Sequence, residues 1–359
     1  MESIYYVLCW HCHRRCKHCY EERFRPYIRE ELESVVSEAV RNAPHIVANL
    51  PESMLYREAI SDPQPGGPLY QEKVGKIILS GGDVLTEPVR ERVLYPTLEA
   101  IRDKYAQHGG IRVVVQTTGD LLTPKIIAEL LDRDVWSISV SGMDDYHVGM
   151  EGDKKLALAE KCTAMLEAAG LKDANALGER TERSKEDGPI FSMFGATEES
   201  WIGKLWPRGR AWSNNLTHAT LADNFCDAWS GGLNFLNHGF AGAEVSIDPT
   251  GDVYPCCIKT ASPLGNLVEE PLLTILDDLT GLPEMEAINA GKPERMGLQH
   301  GWSVTDYLDA CQTETPAGKP YANLCVGCDR FHREVLGDIL DDRRRQRRSQ
   351  RLGILASNG

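Results

Sequence analysis

Three cysteines lie in one short stretch near the start of the chain, at Cys12, Cys16 and Cys19. Zinc sites usually combine two separated cysteine pairs, so that four ligands close around one ion. The spacing here, with three and then two intervening residues, instead suits three thiolates that each bind one iron of a four-iron, four-sulfur cluster. One iron of such a cluster keeps no protein ligand, so we expect it to bind and activate another molecule.

The segment from Cys12 to Tyr20, CHRRCKHCY, resembles the cluster loop of the radical S-adenosylmethionine (radical SAM) superfamily, C-x-x-x-C-x-aromatic-C. The resemblance implies that the free iron chelates the amino and carboxylate groups of SAM. It also implies that the reduced cluster cleaves SAM to methionine and a 5′-deoxyadenosyl radical, and that His18 lies beside the adenine. A structural zinc or disulfide cluster is the alternative, because motif matches carry a false-positive risk.

Composition indicates the class of protein and its compartment. Eleven cysteines without a secretion signal indicate a reducing compartment, so we predict a cytoplasmic protein. The sequence contains no apolar run of the length that a membrane span needs, and the cluster motif leaves no room before it for a signal peptide. The net charge of −14 disfavours nucleic acid as a partner.

Arginines concentrate near the end of the chain, with six between Arg343 and Arg351. One interpretation is an arm that binds RNA or another anionic partner. We favour a solvated, frayed terminal helix, because chain ends are usually loosely ordered. We assign residues 341–359 to this basic tail.

Strand-like and helix-like stretches alternate over the first 200 residues, roughly, which predicts parallel βαβ units. The predicted strands are Ile4–Leu8, Lys76–Ser80, Ile111–Gln116, Val135–Val140 and Ile190–Phe194. The predicted helices are Arg29–Asn42, Leu94–Tyr105, Pro124–Leu131 and Leu156–Ala169. The resemblance implies the same architecture, an α/β fold with a partial (β/α)6 TIM-like barrel, which we assign to residues 1–215.

Two stretches interrupt this alternation. Residues 44–75 contain the run PQPGGP and are predicted to be an insertion on the barrel. Residues 173–187 are charged and weakly apolar, which predicts a mobile surface loop.

The carboxyl ends of the predicted strands carry candidate SAM contacts. Gly81, Gly82 and Asp83 follow one strand and resemble the G-G-E motif of the superfamily, whose backbone groups receive the SAM amino group; Asp83 replaces the usual Glu. Two glycines let the backbone approach a ligand closely. Thr118 ends the next strand on the same rim, where active sites of barrels gather.

Further candidates lie later along the chain. Ser139 and Ser141 end the following strand, where the resemblance implies polar contacts to SAM. Arg210 lies in a Gly-Arg-Ala segment, and we predict that it pairs with the SAM carboxylate because its planar fork suits carboxylates; a surface ion pair is the alternative. His147 follows a strand, so it either approaches the site or is a satisfied surface histidine, and we favour the second interpretation.

A second cysteine region follows residue 215. The segment DPTGD at 248–252 predicts a tight hairpin, which leads into Cys256 and Cys257. A C-x-x-C pair, Cys325 and Cys328, comes later, with Cys311 upstream. This order resembles the SPASM/twitch extensions of radical SAM enzymes, so we assign residues 216–340 to an auxiliary cluster domain.

The resemblance implies one auxiliary [4Fe–4S] cluster of the twitch type. We predict as its ligands one of Cys256 and Cys257, with Cys257 preferred, together with Cys311, Cys325 and Cys328. A structural zinc with four thiolates is the alternative. Cys226 is either an inert core cysteine or, as a catalytic residue, a hydrogen-atom donor to a substrate radical.

Together these features predict a radical SAM enzyme that abstracts a hydrogen atom from a substrate carbon, with the auxiliary cluster assisting oxidation or substrate positioning. The predicted substrate is a peptide, a protein or a small metabolite, and the predicted reductant is a partner such as flavodoxin or ferredoxin. The alternative from another class is a non-catalytic iron–sulfur or zinc scaffold, associated with RNA through the arginine tail.

Overall fold

A nine-stranded sheet forms the centre of the computed structural model, which describes residues 1–60, 67–177, 183–198 and 203–357. The strands are β1 (Ser3–Val7), β2 (Leu55–Ala59), β3 (Tyr70–Val74), β4 (Lys76–Ser80), β5 (Arg112–Thr117), β6 (Val135–Val140), β7 (Lys172–Asp173), β8 (Ile190–Met193), β9 (Glu244–Ile247), β10 (Asp252–Tyr254), β11 (Gly265–Asn266), β12 (Gln312–Glu314) and β13 (Pro320–Ala322).

Helices surround the sheet and build the C-terminal part of the chain. They are α1 (Arg29–Asn49), α2 (Glu87–Val89), α3 (Tyr95–Tyr105), α4 (Pro124–Leu131), α5 (Lys154–Ala168), α6 (Gly209–Ser213), α7 (Leu272–Leu279), α8 (Pro283–Asn289), α9 (Val304–Ala310), α10 (Leu324–Phe331) and α11 (Gly337–Ser357). Two π-helical turns, Arg90–Leu94 and His332–Leu336, join α2 to α3 and α10 to α11. Among the described residues, no helix is both long and apolar enough to cross a membrane.

The central sheet has the strand order β11-β10-β9-β1-β4-β5-β6-β8-β7. Neighbouring strands run parallel from β9 to β7, and β10 and β11 pair antiparallel at one edge. The apolar core joins the strands to α1, α3, α4 and α5. A mostly parallel sheet with this helical layer confirms the predicted α/β fold class.

Side chains of each parallel strand alternate between the helical layer and an internal cavity. In β4, Ile77 and Leu79 are fully buried in the core, whereas Ile78 and Ser80 line the cavity. The two-residue period of an extended strand produces this division. Every second residue of a strand is therefore available to a ligand, while its neighbours hold the fold.

The segment after α1 differs from the prediction. The helix continues through Pro44 to Asn49, because Ile46 and Val47 beyond the proline still pack into the core. The predicted start of an insertion at residue 44 is therefore wrong. After the helix, β2 and β3 form an antiparallel hairpin, and residues 61–66 of its connection lie outside the described residues.

Among its described residues, the predicted loop at 173–187 contains the end of β7 and the short 3-10 turns Ala174–Leu177 and Lys185–Asp187. Residues 178–182 lie outside the described residues, so the mobility of this loop stays a prediction.

The sheet continues across residue 215, where we placed a domain boundary. β9 pairs in parallel with β1, from Ser3 opposite Glu244 to Tyr6 opposite Ile247. β9 and β10 form the predicted tight hairpin, and its Gly251 has a φ of 89°, which favours glycine. Backbone hydrogen bonds thus join the first strand of the chain to the hairpin that precedes Cys256.

The arginine-rich segment is helical, and Arg345 and Arg348 are exposed as the prediction of a solvated helix expects, but at Arg347 the helix is docked on the fold, so the prediction of a frayed end is wrong there. Arg347 in α11 is 3% exposed, and its guanidinium donates to both carboxylate oxygens of Glu270 at 2.9 Å. It also pairs with Asp278 at 2.6 Å and donates to the carbonyl of Leu264. Burial lowers the pKa of Arg347, but its two acidic partners outweigh burial and raise it. The helix is docked by this buried ion pair.

Candidate functional site

A cavity of about 450 Å³ lies against the face of the central sheet opposite the helical layer. Its volume is within the size range of small-molecule sites. Its wall includes residues at the carboxyl ends of parallel strands, among them Ser80, Thr117, Ser141 and Phe194. The loop after β1 also lines it and carries the three closely spaced cysteines. The carboxyl ends of these strands therefore border one cavity, as the sequence predicted.

Cys12, Cys16 and Cys19 all line this cavity. Burial raises the pKa of the Cys12 thiol well above its ordinary value, and the nearby Cys19 and Cys16 raise it further. Burial likewise raises the pKa of Cys19 to about 11. All eleven cysteines lie among the described residues and none forms a disulfide, which is what a site built from thiols requires.

Arg210 holds the cluster loop in place. Its guanidinium donates to the backbone carbonyls of Cys16 at 2.8 Å, Glu22 at 2.8 Å and Phe24 at 2.7 Å, with a longer bond to Glu21. The predicted pairing of Arg210 with the SAM carboxylate is therefore not what the geometry shows, because these carbonyls occupy its donors. We describe Arg210 as a positioning residue for the loop.

Gly81 and Gly82 pack directly against the cluster loop. A Cβ atom on Gly82 would overlap the carbonyl of His11 and the side chain of Cys12. One on Gly81 would stand 3.0 Å from the carbonyl oxygen of Cys9. The two glycines, which line the cavity as predicted, are thus required by close packing as well as by any ligand.

Asp83 ties two strand ends together and does not point at a ligand. Its buried carboxylate accepts hydrogen bonds from the Thr117 hydroxyl at 3.0 Å, the Thr118 hydroxyl at 2.7 Å and the Thr118 amide at 3.1 Å. It also accepts from the amide of Leu85. Thr118 lines the cavity, as predicted, but its hydroxyl and amide both donate to Asp83.

Ser139 and Ser141 line the cavity, as predicted. The hydroxyl of Ser139 lies 2.9 Å from that of Ser192, which belongs to the neighbouring strand β8. Sequence analysis missed Ser192, because only the parallel pairing of β6 with β8 brings these two hydroxyls together.

His18 lies at the cavity in a cluster that the sequence did not reveal. Its ring centroid is 4.5 Å from that of His147, whose Nδ1 lies 2.8 Å from a carboxylate oxygen of the buried Asp144. Burial lowers the pKa of His18 to about 4, and His147 lowers it further, so the ring is neutral near pH 7. His147 is thus part of the cavity wall, not a surface residue.

One potential ligand atom from each of His18, Asp144 and His147 lies within 4.8 Å of the other two, a separation that also permits one bound metal ion. For Asp144 and His147, the only sequence signal was the segment DDYH directly after a strand.

A second group of thiols gathers in the C-terminal part of the chain, from Cys226, Cys256, Cys325 and Cys328. Burial raises the pKa of Cys226 well above its ordinary value, and the other three cysteines of the group raise it further. The same pattern holds for Cys328, whose pKa is raised by burial, by Asp329 and then by Cys325 and Cys256. Cys256 and Cys325 also belong to one packed cluster, which supports grouping the four thiols in one region.

The other two predicted auxiliary ligands, Cys257 and Cys311, border this group. Cys257 lines the cavity, and burial followed by Glu244 raises the pKa of its thiol well above its ordinary value. The preference for Cys257 over Cys256 as an auxiliary ligand is therefore not supported. Cys311 packs against Gly327, whose amide donates to its sulfur, and it neighbours Cys325. The two residues lie in the turn after β10, where the amide of Cys257 donates to the carbonyl of Ser230 and the carbonyl of Cys256 accepts from Lys259.

Cys226 does not line the cavity, unlike Cys257. A hydrogen-atom donor has to reach the substrate, so the geometry does not support that predicted role for Cys226. Its position beside the C-x-x-C pair favours a ligand role.

Arg208 supplies a positive charge beside this second group. Its guanidinium lies 2.9 Å from a carboxylate oxygen of Asp329 and donates to the carbonyl of Cys325 at 3.4 Å. Burial lowers the pKa of Arg208, but Asp329 and the nearby Cys325, Cys328 and Cys256 outweigh it and raise the pKa. The charge stays in place and favours thiolate over thiol in this group.

Tyr20 joins the two groups of cysteines. It packs with Cys12 and Phe24 on one side and with Cys256, Cys325 and Trp206 on the other. The two thiol groups are therefore linked through the partly buried ring of Tyr20, which also lines the cavity.

Residues 241–289 match the family SPASM, described as an iron-sulfur cluster-binding domain. The match includes β9, β10, Cys256 and Cys257, and it confirms the predicted SPASM-type iron–sulfur extension. No curated protein matches the chain.

Several solved structures match most of the chain. BtrN in complex with AdoMet and 2-DOIA has 11% identity and a TM-score of 0.40, and the match covers 85% of this chain and 92% of BtrN. Native anSMEcpe with bound AdoMet and Cp18Cys peptide has 10% identity and a TM-score of 0.42, covering 95% and 99%. Streptococcus suis SuiB bound to precursor peptide SuiA has 12% identity and a TM-score of 0.38, covering 80% and 66%.

Proposed function

We propose that this protein is a radical SAM enzyme that cleaves SAM reductively and removes a hydrogen atom from a substrate carbon. The observation that carries the proposal is the opening of three free thiols, Cys12, Cys16 and Cys19, into one cavity that Cys257 also lines. Soft thiolate donors select iron–sulfur clusters or zinc among biological metal groups. Three donors in one loop leave one coordination position for a small molecule.

The residues fit a four-iron cluster at the first group. The three thiols are buried or half-buried, and burial alone would keep them protonated, so a bound cation is what makes their thiolate forms stable. When bound, such a cluster supplies the electron that splits SAM and generates the 5′-deoxyadenosyl radical. Arg210 orients the loop, and Gly82 allows its close contact with the strand ends.

Other residues of the cavity bind and orient SAM in this proposal. The backbone at Gly81 and Gly82, which lines the cavity, receives the SAM amino group, and the neutral ring of His18 packs beside the adenine. Ser139 and Ser141 offer hydroxyls to the polar part of the nucleoside. Asp83 keeps the ends of β4 and β5 together, so that these contacts stay in register.

The second group, Cys226, Cys256, Cys325 and Cys328, supplies four thiolates for an auxiliary [4Fe–4S] cluster. Four protein ligands leave no open iron, so this site passes electrons or orders the wall of the cavity. The substrate is a small metabolite or a peptide segment, because the cavity has the size of a small-molecule site. The reductant is a flavodoxin or ferredoxin, and the free cysteines suit the reducing cytoplasm.

The test is anaerobic reconstitution with iron and sulfide, followed by dithionite and SAM, with 5′-deoxyadenosine measured by mass spectrometry. We expect about eight irons in each wild-type chain and steady formation of 5′-deoxyadenosine. The Cys12→Ala, Cys16→Ala, Cys19→Ala triple variant should form none. Cys162→Ala is the matched control, because this buried cysteine donates to the Gly119 carbonyl and belongs to neither group. A wild-type protein with full iron content that forms no 5′-deoxyadenosine contradicts the proposal.

A further inference from the structure

His332 is a buried histidine whose ring has no hydrogen-bond partner among the residues that the structure describes. Its exposed fraction is 0%, and neither Nδ1 nor Nε2 has a partner. A neutral imidazole carries one N–H donor and one acceptor, and nearly all such buried groups in proteins are satisfied. An unsatisfied buried imidazole therefore points to a partner that is not among the described residues.

The position of His332 identifies that partner. Residues three and four apart on a helix share one face, so Cys325, Cys328 and His332 form one stripe along α10 and the π-helical turn after it. Arg208 is a common neighbour, since its charge acts on both cysteines and on the imidazole. His332 thus belongs to the surroundings of the second thiol group.

Arg208 does not accept the ring N–H, because a guanidinium has donors only. The acidic group of this region, Asp329, is already paired with Arg208 at 2.9 Å. Burial lowers the pKa of His332 to about 3, and Arg208 lowers it further, so the ring is neutral. A neutral ring retains one N–H, and the sulfur atoms of an iron–sulfur cluster accept hydrogen bonds that set its reduction potential.

We propose that His332 is a positioning residue for the auxiliary iron–sulfur site. Its ring N–H donates a hydrogen bond to a sulfur of the group that Cys226, Cys256, Cys325 and Cys328 hold. This bond stabilises the reduced form, which carries the extra negative charge, and raises the midpoint potential. The inference rests on the proposed auxiliary cluster, but not on any particular substrate.

The experiment measures the potential of the auxiliary cluster alone. The full chain with Cys12, Cys16 and Cys19 replaced by Ala is reconstituted anaerobically, and its reduction is followed by EPR during a redox titration. His332→Leu removes the donor, and His332→Gln restores one. His300→Leu is the matched control, because His300 is a half-buried histidine of the same region that packs on Phe331 and pairs with Glu284.

We expect His332→Leu to keep about four irons and to shift the midpoint to a more negative potential. At the midpoint of the parent protein, the ratio of reduced to oxidised cluster should fall about tenfold, which corresponds to about 59 mV for one electron. His332→Gln should recover part of the shift, and His300→Leu should show none. If His332→Leu does not fold, His332→Val replaces it in the same comparison.

Three results would overturn the inference. These are an unchanged midpoint in a folded apolar variant, an equal shift in His300→Leu, or loss of the iron on removal of the imidazole, which would make His332 a ligand or a purely structural residue. Failure of the proposed function has a different signature. Then the wild-type protein forms no 5′-deoxyadenosine, or the triple-alanine parent binds no iron at all.

Discussion

The two thiol groups of this protein are assembled in opposite ways. Cys12, Cys16 and Cys19 belong to one loop, and they open into the cavity. Cys226, Cys256, Cys325 and Cys328 come from three distant segments and meet in a buried, largely apolar region. The first group depends on the path of one loop, whereas the second depends on the packing of the whole C-terminal part.

The residues that support each group follow the same division. Arg210 donates hydrogen bonds to backbone carbonyls of the first loop, so the conformation of this loop does not depend on its side chains. Arg208 lies beside the second group and is paired with Asp329 on the helix that carries Cys325 and Cys328. A site made by one loop is free to remain open on one side. A site made by several segments is closed by the segments that form it.

The largest expected difference between the groups is in SAM cleavage. Cys16→Ala should lower 5′-deoxyadenosine formation with dithionite to the level of the sample without protein, because the loop then lacks a ligand. Cys328→Ala should keep this activity within about tenfold, a change of about 1.4 kcal/mol in the barrier, since dithionite replaces any electron from the second site. Equal loss in both variants would show that the two groups act as one site.

The next comparison separates two adjacent cysteines. Cys256→Ala should lose about half of the iron, whereas Cys257→Ala should keep about eight irons per chain. The reason is that Cys256 neighbours Cys325 and Cys328, while Cys257 faces the cavity. Iron and acid-labile sulfide are measured after anaerobic reconstitution. The reverse result would return Cys257 to the ligand set, as the sequence favoured.

A third prediction concerns the packing on which the second group depends. Arg347→Met should lower the free energy of unfolding by about 3–5 kcal/mol, because it leaves the buried Glu270 without its partner. Arg345→Met is the control, with a change within about 0.5 kcal/mol, because Arg345 is exposed on the same helix. Urea denaturation of the unloaded protein gives both values. Similar values for the two variants would mean that α11 contributes little to this part of the fold.

The smallest effect is expected at the rim of the first group. Asp83→Asn should lower the free energy of unfolding by about 2 kcal/mol, because an amide places a donor against the Thr118 amide and loses charge-assisted bonds. Asp145→Asn, at an exposed ion pair with Lys155, should change it by less than about 0.5 kcal/mol. The same urea titration applies. A change at Asp83 no larger than at Asp145 would remove its role in joining β4 to β5.

Much of the fold was predictable because the determining signals are local. The strands β4 and β6 and the helix α4 have the predicted bounds, since each is a short apolar or amphipathic run between clear turn signals. The continuation of α1 through Pro44 was not predictable. Its cause is the packing of Ile46 against the sheet, which overrides the local penalty of the proline.

In the candidate site too, local features were predictable and contacts between distant segments were not. The loop with Cys12, Cys16 and Cys19 is recognisable from its spacing alone. The choice of Cys256 over Cys257 and the grouping of Cys226 with the C-x-x-C pair depend on how distant segments meet, and no spacing encodes that. Asp144 and His147 were missed for the same reason, because their relation to His18 arises only when the end of β6 meets the cluster loop.

The pairing of β9 with β1 has a consequence for any molecule handled here. β1 leads into the first loop, whereas the hairpin after β9 turns the chain back, so that β10 runs antiparallel to β9 before the chain reaches Cys256. The first thiol loop therefore lies beyond the carboxyl end of β1, and Cys256 lies toward the amino end of β9. The separation of these two segments along the strands is set by main-chain pairing, so a substitution that keeps the ladder intact alters the lining of the cavity more than this separation.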